Sequence, residues 1–334
     1  MLSVYPICTS CQKNVQNLCF YLSVISIVLF LIILFLFLSV NENNIYFLLS
    51  CGFPFVYMLF LFVLCIFVIF LLFFLLTVHK DSAILKSRIF KTGDDFFMYL
   101  SDIHTHSVAS GHGTSCTISD MAKAASRKGL KLLGITDHGP ATLASGTPSY
   151  FRSLTYSPRK RFGVDLLYGI ELNILDTDGR VDLEQEILNR LDYAIASMHT
   201  QNFHPSDKEE NTQALLGAMK NPVVKVLGHI DNPQYSIDYD KVIHAASENQ
   251  VILEINEASL APYGYRGDTK ENCAAILFYC RKYLVPIVLS SDSHGAEHIG
   301  DFTYAADFVH QAMFPESLIL NNQIPKLKML LSIR

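Results

Sequence analysis

Histidine and acidic residues recur in this sequence at short spacings, and these residue types can bind metal ions. The densest group is SDIHTHSVASGHGTS, residues 101–115, which places His104, His106 and His112 within nine positions after a short apolar run. Imidazole and carboxylate together are typical ligands of zinc, manganese or iron, whereas calcium and magnesium prefer oxygen ligands. Taken alone, this group is also consistent with an acid–base pair or with ordinary polar loop residues.

More residues of the same types follow five other apolar runs further along the chain. They are His138 in TDH, Glu171 in GIE, His199 in SMH, His229 in GH, and Asp292 and His294 in SDSH. A single histidine at such a place is usually a polar residue satisfied by hydrogen bonds. Nine residues of ligand type at six run ends instead predict a metal centre.

The elements that would position these residues are visible in the apolar pattern of residues 98–334. Seven short runs predict buried strands at 99–103, 131–136, 166–170, 193–197, 223–227, 251–255 and 286–289. Amphipathic stretches between them predict helices, most clearly at 119–128, 207–219, 239–249 and 269–283. Strands that alternate with helices are typical of parallel β/α units, and a closed barrel brings all the carboxyl ends of its strands to one face. We therefore predict an α/β fold, a seven-stranded β/α barrel, with the metal centre on that face.

The N-terminal quarter of the chain has a different composition. The stretches 18–40 and 54–78 carry no charged residue, and each is long enough for the roughly 20 residues of a membrane-spanning helix. They predict a two-helix transmembrane hairpin in residues 1–97, followed by a separate domain at 98–334. Lys13 and Lys80 flank this hairpin, so the positive-inside rule places both termini in the cytoplasm. We accordingly expect the protein in the cell membrane, with its second domain in the cytoplasm.

Two other origins of the apolar segment stay open. A signal peptide is one, although only Lys13 precedes the first stretch and no clear small-residue cleavage site follows it. The other is translation of an A/T-rich region upstream of a true start at Met98. In that case the protein is cytoplasmic and has no membrane segment.

Charge and cysteine content bear on partners and compartment. The net charge is −5, and the basic cluster at 159–161 is short, whereas affinity for nucleic acid comes mainly from Lys and Arg. We therefore expect no nucleic-acid partner. Three of the eight cysteines, Cys116, Cys273 and Cys280, lie in the second domain, and an odd number gives no disulfide framework. This agrees with a reducing compartment.

The order and spacing of the ligand motifs resemble the PHP (polymerase and histidinol phosphatase) family of metal hydrolases. HxH, TDH, GIE, a lone histidine, GH and SDSH all match, and ITDHGP, GIELNI, NTQA and LEIN are similar to its YcdX-like phosphatase branch. The resemblance covers essentially all of residues 98–334 and none of 1–97. It implies a distorted seven-stranded barrel that holds three divalent ions, with zinc expected and manganese or iron as alternatives.

The resemblance also implies which residues bind each ion. The first ion would be bound by His104, His106, Glu171 and Asp292, the second by His112, His138 and His294, and the third by Glu171, His199 and His229. Glu171 would therefore bridge two ions. Asp102 and Asp137 adjoin ligands, and either orient a histidine or only solvate the rim.

Such a centre suits phosphoester hydrolysis, because ions about 3.5–4 Å apart can share a hydroxide and neutralise the attacking and leaving oxygens. Glu171, Asp292 and His199 are the predicted catalytic residues. Arg159 and Arg266 match arginines of the related branch and are predicted to bind the substrate phosphate, which suits a guanidinium group. The expected substrate is a small phosphorylated metabolite. A histidinol phosphatase, a PHP-type exonuclease or nucleotide phosphoesterase, and a non-catalytic metal-binding module are the alternatives, and the sequence indicates no oligomeric state.

Overall fold

The computed structural model describes residues 99–331, in which short strands alternate with helices. The strands are β1 (Ser101–Asp102), β2 (Thr105–His106), β3 (Leu132–Ile135), β4 (Lys160–Arg161), β5 (Val164–Tyr168), β6 (Ile170–Asn173), β7 (Ala194–Ser197), β8 (Val224–Leu227), β9 (Ile252–Asn256), β10 (Ile287–Ser290) and β11 (Ser293–His294). The helices are α1 (Ile118–Arg127), α2 (Pro148–Leu154), α3 (Gln185–Leu188), α4 (Lys208–Ala218), α5 (Tyr239–Asn249), α6 (Glu257–Leu260), α7 (Lys270–Tyr283), α8 (Thr303–Gln311) and α9 (Ile324–Leu330). Two 3-10 turns occur at Val108–Ser110 and Glu316–Leu318.

The predicted membrane hairpin falls outside this part of the chain. Both stretches, 18–40 and 54–78, and the boundary at residue 97 precede the first described residue. Within residues 99–331, no helix combines the length and the apolar character needed to cross a bilayer. The hairpin therefore stays a prediction.

Parallel pairing joins the strands into a closed ring. One run of neighbours is β1, β3 and β5, and a second run is β6, β7, β8, β9 and β10. The two runs are continuous, because β6 follows β5 after a single residue. The ring closes where β11, which continues β10, pairs with β2, which continues β1. The strands thus occupy seven positions of a β/α barrel, β4 adds an antiparallel edge to β5, and the predicted α/β fold is confirmed.

All seven predicted strands are present close to their predicted places, but the first, third and seventh are each divided into two segments. The third is divided at Gly169, where a Cβ atom would lie 2.8 Å from the carbonyl oxygen of Tyr193. The seventh is divided at Asp292, whose φ of 54° lies in the left-handed region that side chains other than glycine rarely adopt. These interruptions distort the ring next to the predicted ligands.

The first helix begins one residue earlier than the sequence pattern predicts. Its N-cap is Thr117: the Thr117 hydroxyl accepts a hydrogen bond from the Asp120 N–H, and the Asp120 carboxylate accepts one from the Thr117 N–H. This reciprocal arrangement is a capping box. Gly129 follows the last turn with a φ of 82°, as is common after a helix.

Two apolar clusters hold the barrel together. Alternate residues of each strand point to opposite faces, so that Leu132 lies inside the ring and Leu133 outside it. The inner cluster is made of Ile103, Leu132, Leu167, Tyr193, Ile195, Val226, Ile252, Val288, Leu320, Leu327 and Leu331. The outer cluster fills the space between the strands and the surrounding helices. The interior is therefore a packed core, and a site has to lie on the face above it.

Asn321 joins the first and last strands at the amino end of the ring. Its side-chain N–H groups donate to the carbonyl oxygens of Ser101 (2.9 Å) and Leu289 (2.7 Å), and its Oδ1 accepts from the Leu289 N–H at 2.8 Å. The side chain is buried, so water cannot replace these bonds. Asn321 therefore substitutes for ladder pairing between β1 and β10.

We expect Asn321→Ala to lower the free energy of unfolding by about 2–4 kcal/mol, because each buried backbone group left without a partner costs about 1–3 kcal/mol. The measurement is urea denaturation of the parent and the variant. Asn322→Ala is the matched control, since this exposed neighbour accepts one hydrogen bond, from the Leu100 N–H. Equal midpoints for the two variants would show that Asn321 does not hold the ring.

Candidate metal centre

All nine predicted ligands meet at the carboxyl ends of the strands. Glu171 lies at the centre of the cluster, and both Glu171 and Asp292 lie close to His104 and His106. His112 lies on the rim, where its exposed ring is centred 4.9 Å from both His138 and His294. The structure therefore brings together every residue that the sequence motifs predict as a ligand.

The two carboxylate oxygens of Glu171 face different sets of imidazoles. Its Oε2 lies 2.6 Å from His138 Nδ1, 3.5 Å from His104 Nε2 and 3.6 Å from His106 Nε2. Its Oε1 lies 2.8 Å from His229 Nε2 and 3.2 Å from His199 Nε2. Burial alone would raise the pKa of Glu171, but the surrounding imidazoles outweigh it and hold this pKa well below the usual range. Glu171 is therefore an ionised carboxylate with a separate ligand group on each side.

The two carboxylate oxygens of Asp292 also have different partners. Its Oδ1 lies 3.1 Å from His106 Nε2 and 3.7 Å from His104 Nε2. Its Oδ2 accepts hydrogen bonds from Arg266 (2.8 Å) and from the side chain of Asn256 (3.1 Å). Burial raises the pKa of Asp292, but His104, His106 and Arg266 hold it well below the usual range. One oxygen is thus held by the protein, and the other faces the histidines.

Two of these residues have backbone angles that are uncommon outside glycine. His229 has a φ of 31° and Asp292 a φ of 54°. Such conformations cost about 1–3 kcal/mol each and are concentrated at functional sites. Here they occur at two strand ends whose side chains face the cluster.

Several buried atoms of the cluster make no hydrogen bond of suitable geometry within residues 99–331, although some of them lie close to one another. They are Nε2 of His104, His106 and His294, Nδ1 of His138 and His229, and Oε2 of Glu171. Buried polar atoms are nearly always satisfied, because each one left without a partner costs about 1–3 kcal/mol. Most of these atoms fall into three groups whose members lie within 4.8 Å of one another: His104, His106 and Glu171; His106, His138 and His294; and His138, Glu171 and His199. Imidazole nitrogens with a carboxylate fit zinc or manganese, so the residues present fit a metal centre.

Asp137 orients one histidine through a serine. The Ser110 hydroxyl donates to Asp137 Oδ1 at 2.7 Å, so it can only accept from His106 Nδ1, which lies 2.9 Å away. His106 Nε2 is then free of a proton and available to a metal ion. Asp137 also accepts hydrogen bonds from the Ser107 N–H and hydroxyl and from the Tyr150 hydroxyl. Asp137 therefore orients a histidine and does not merely solvate the rim.

Asp102 has neither of the predicted roles. It is fully buried, so it does not solvate the rim, and its carboxylate accepts hydrogen bonds from the backbone N–H groups of Gly300 (2.9 Å) and Ser291 (3.3 Å). Burial raises its pKa to about 6, against the lowering effect of the bonds from Ser291, Gly300 and His104. Asp102 therefore ties the first strand to the segment that follows the last one.

Two orienting residues were not identified from the sequence. Glu254 Oε1 lies 2.6 Å from His104 Nδ1, and because a carboxylate can only accept, the imidazole donates and keeps Nε2 free. Asn173 Oδ1 lies 2.7 Å from His199 Nδ1 and acts in the same way. The signal was present in the motifs LEIN and GIELNI, where a polar residue interrupts a buried strand.

The two predicted phosphate-binding arginines lie at different places in the structure. Arg266 reaches the cluster, but both of its terminal nitrogens are engaged, with Asp292 and Tyr265 on one and with Asn256 and Ser259 on the other. Arg159 pairs with Asp192, which precedes β7, whereas His199 follows that strand. Arg159 is therefore at the amino end of the barrel and is not brought to the cluster.

Comparison with known proteins identifies the family. A family model described as the PHP domain matches residues 102–258. A probable phosphatase from Clostridium botulinum (strain Langeland) is 40% identical over 229 residues, a match that spans 69% of this chain and 93% of that relative. The chain belongs to the PHP domain family. The resemblance found in the sequence motifs is therefore confirmed.

Further relatives of this PHP protein range from similar sequences to solved structures of low sequence identity. A probable phosphatase from Caldanaerobacter subterraneus subsp. tengcongensis is 42% identical over 228 residues, which span 68% of this chain and 89% of the relative. Among solved structures, the histidinol phosphate phosphatase of Lactococcus lactis, in complex with zinc, L-histidinol and phosphate, has a TM-score of 0.48 at 19% identity. That match covers 65% of this chain and 95% of the other.

We expect Glu254→Gln to weaken zinc binding by about 10–100-fold, the usual effect of removing a residue that orients a metal-binding histidine. The amide keeps the shape of the side chain, but it removes the charged partner of His104 Nδ1. Zinc affinity is measured by competition with a chelator of known affinity. Glu248→Gln, an exposed glutamate on α5, is the control and should bind zinc like the parent. Unchanged affinity in Glu254→Gln would show that this contact does not prepare His104 for a metal.

Proposed function

We propose that this PHP protein is a metal-dependent phosphatase that hydrolyses a small phosphomonoester at a trinuclear metal centre. The observation that carries the proposal is the arrangement of imidazoles around Glu171: three face one carboxylate oxygen and two face the other. A buried carboxylate arranged in this way can bridge two ions. The names of the relatives, probable phosphatases, support the reaction class.

The three groups of close donor atoms support three ion positions. The first would be held by His104, His106 and Glu171 together with Asp292, whose Oδ1 faces the same two histidines. The second would be held by His138 and His294 with His112 at the rim, and the third by Glu171, His199 and His229. His106 and His138 each belong to two groups of close atoms, and the family resemblance assigns each to one ion.

When bound, the ions would supply Lewis acidity and activate a water molecule for attack on phosphorus. The chain's own residues prepare this chemistry. Ionised Glu171 and Asp292 offset only part of the charge of three divalent ions, so the centre stays cationic and attracts a phosphate dianion. Glu254, Ser110 and Asn173 each hold one histidine with its metal-facing nitrogen free.

The hydrogen bonds of the nearby hydroxyl groups support water as the nucleophile. Ser107 and Ser110 donate their protons to Asp137, and Ser293 donates to the carbonyl oxygen of Gly295. A serine nucleophile instead needs to donate its proton to a base such as histidine. These three serines are therefore used for structure.

Arg266 is best placed to act through Asp292. Its side chain is 2% exposed and holds Asp292 Oδ2, which turns Oδ1 towards the histidines. Direct contact with a substrate phosphate would require the terminal nitrogens of Arg266 to give up one of the hydrogen bonds that engage them. Phosphate binding by Arg266 stays a prediction, whereas Arg159, paired with Asp192 at the amino end of the barrel, is not placed to bind a phosphate at the cluster.

We also propose that residues 98–334 carry the catalytic activity and that residues 1–97 hold this domain at the cytoplasmic side of a membrane. The first part is supported by the site, all of whose residues lie between His104 and His294. The second is supported by composition alone.

We expect Glu171→Gln to lower kcat for p-nitrophenyl phosphate by on the order of 100-fold or more, because a neutral amide binds a second cation poorly and the shared position is lost. The measurements are kcat and bound metal, with circular dichroism as the folding control. Glu271→Gln, on the exposed first turn of α7, should behave like the parent.

Near-parental turnover and a full metal complement in Glu171→Gln would exclude the bridging role. The proposed function itself fails if the metal-loaded parent hydrolyses no phosphomonoester.

A further inference from the structure

A cleft of about 650 Å³ lies beside the metal centre on the side of His294. It is lined by two loop segments, 113–116 and 294–297, and by the C-terminal end of α1 with the residue that follows it. Pockets that bind small molecules typically have volumes of about 300–1,000 Å³. The cleft is therefore large enough for the part of a metabolite that extends away from a phosphoryl group at the metals.

Two glycines bring the walls of this cleft close to the metal centre. A Cβ atom on Gly113, which has a φ of 79°, would lie 2.9 Å from the His294 ring. A Cβ atom on Gly295, with a φ of 109°, would lie 2.4 Å from the hydroxyl oxygen of Thr114. Any larger residue would push the two loops apart. The cleft and the centre thus share His294 as a common wall.

The cleft contains two cationic side chains that are not neutralised by carboxylates. Arg127 Nε donates to the backbone carbonyl of Lys123, and Lys128 Nζ donates to the backbone carbonyl of Glu297. In the part of the chain that the structure describes, neither forms an ion pair, unlike Arg159, which is paired with Asp192. Glu297 is the one carboxylate among the lining residues. The charge of the lining therefore favours an anion.

We propose that this cleft binds a second anionic group, phosphate or carboxylate, on the leaving group of the substrate. This inference rests on the proposed phosphatase function and narrows its substrate class. The phosphoryl group to be cleaved would lie at the metals, and Arg127 and Lys128 would bind the second anion through charge-assisted hydrogen bonds. Bisphosphates and phosphorylated acids are then preferred substrates. A phosphorylated amine such as histidinol phosphate is disfavoured, because its ammonium group would lie beside two cations.

The test compares four substrates on the full chain: p-nitrophenyl phosphate, fructose 1,6-bisphosphate, 3-phosphoglycerate and histidinol phosphate. The variant is the double substitution of Arg127→Ala with Lys128→Ala. Lys123→Ala is the matched control, since it removes an exposed cation of the same helix that does not line the cleft.

For the double variant we expect KM to rise about 10-fold or more for the bisphosphate or the phosphorylated acid, with kcat within about twofold of the parent. KM for p-nitrophenyl phosphate, which has no second anion, should stay within about twofold, and Lys123→Ala should change none of these values. A rise for one anionic substrate alone identifies phosphate or carboxylate as the group recognised.

The proposal is overturned if KM rises equally for p-nitrophenyl phosphate, or if it rises for neither anionic substrate. Absence of hydrolysis with all four substrates is a different result, since it contradicts the phosphatase function. In that case the affinity for the uncleaved bisphosphate, measured by calorimetry, tests whether the cleft binds an anion. Weaker binding to the double variant than to Lys123→Ala supports an anion site, and equal binding excludes it.

Discussion

The carboxylate of Glu171 is the group around which the site is built. It is fully buried, and five imidazole nitrogens lie between 2.6 and 3.6 Å from its two oxygens. Buried polar groups this numerous need partners for their unpaired atoms, and bound metal ions would supply those partners in one step. The imidazoles also have to be held in one orientation. The chain provides this through Nδ1 contacts with Glu254, Ser110 and Asn173.

The closure of the barrel brings the two halves of this site together. His104 and His106 follow the first strand, and Asp292 and His294 follow the last one, so these residues meet only if the ring closes. Closure combines the pairing of β11 with β2 and backbone bonds from Asp292 N–H to His104 O and from Gly295 N–H to His106 O, both 3.0 Å. At the opposite end of the strands Asn321 makes the connection. The stability of the junction and the geometry of the metal centre therefore depend on the same contacts.

Most residues of the cluster could be predicted from the sequence because they lie next to the strand ends that position them. His138, Glu171 and His229 each follow a recognisable apolar run, so local pattern was sufficient. The orienting residues depend on contacts between distant segments: Glu254 and His104 are 150 residues apart in sequence, and no local signal pairs them. Arg159 was assigned to the substrate because it matches an arginine of the related branch, but the short β4–β5 hairpin keeps it near Asp192, away from the cluster. Asp102 could not be assigned because its partners, backbone N–H groups, leave no trace in the sequence.

The number of ions bound per chain is the decisive measurement, because the proposed centre holds three ions in overlapping groups of donor atoms around one bridging carboxylate. The protein is purified without chelators, saturated with zinc, freed of excess metal and measured by elemental analysis against protein concentration. We expect three ions per chain. A ceiling of one ion would contradict it, since a single ion cannot use both oxygen faces of Glu171 together with the separate pair of His138 and His294.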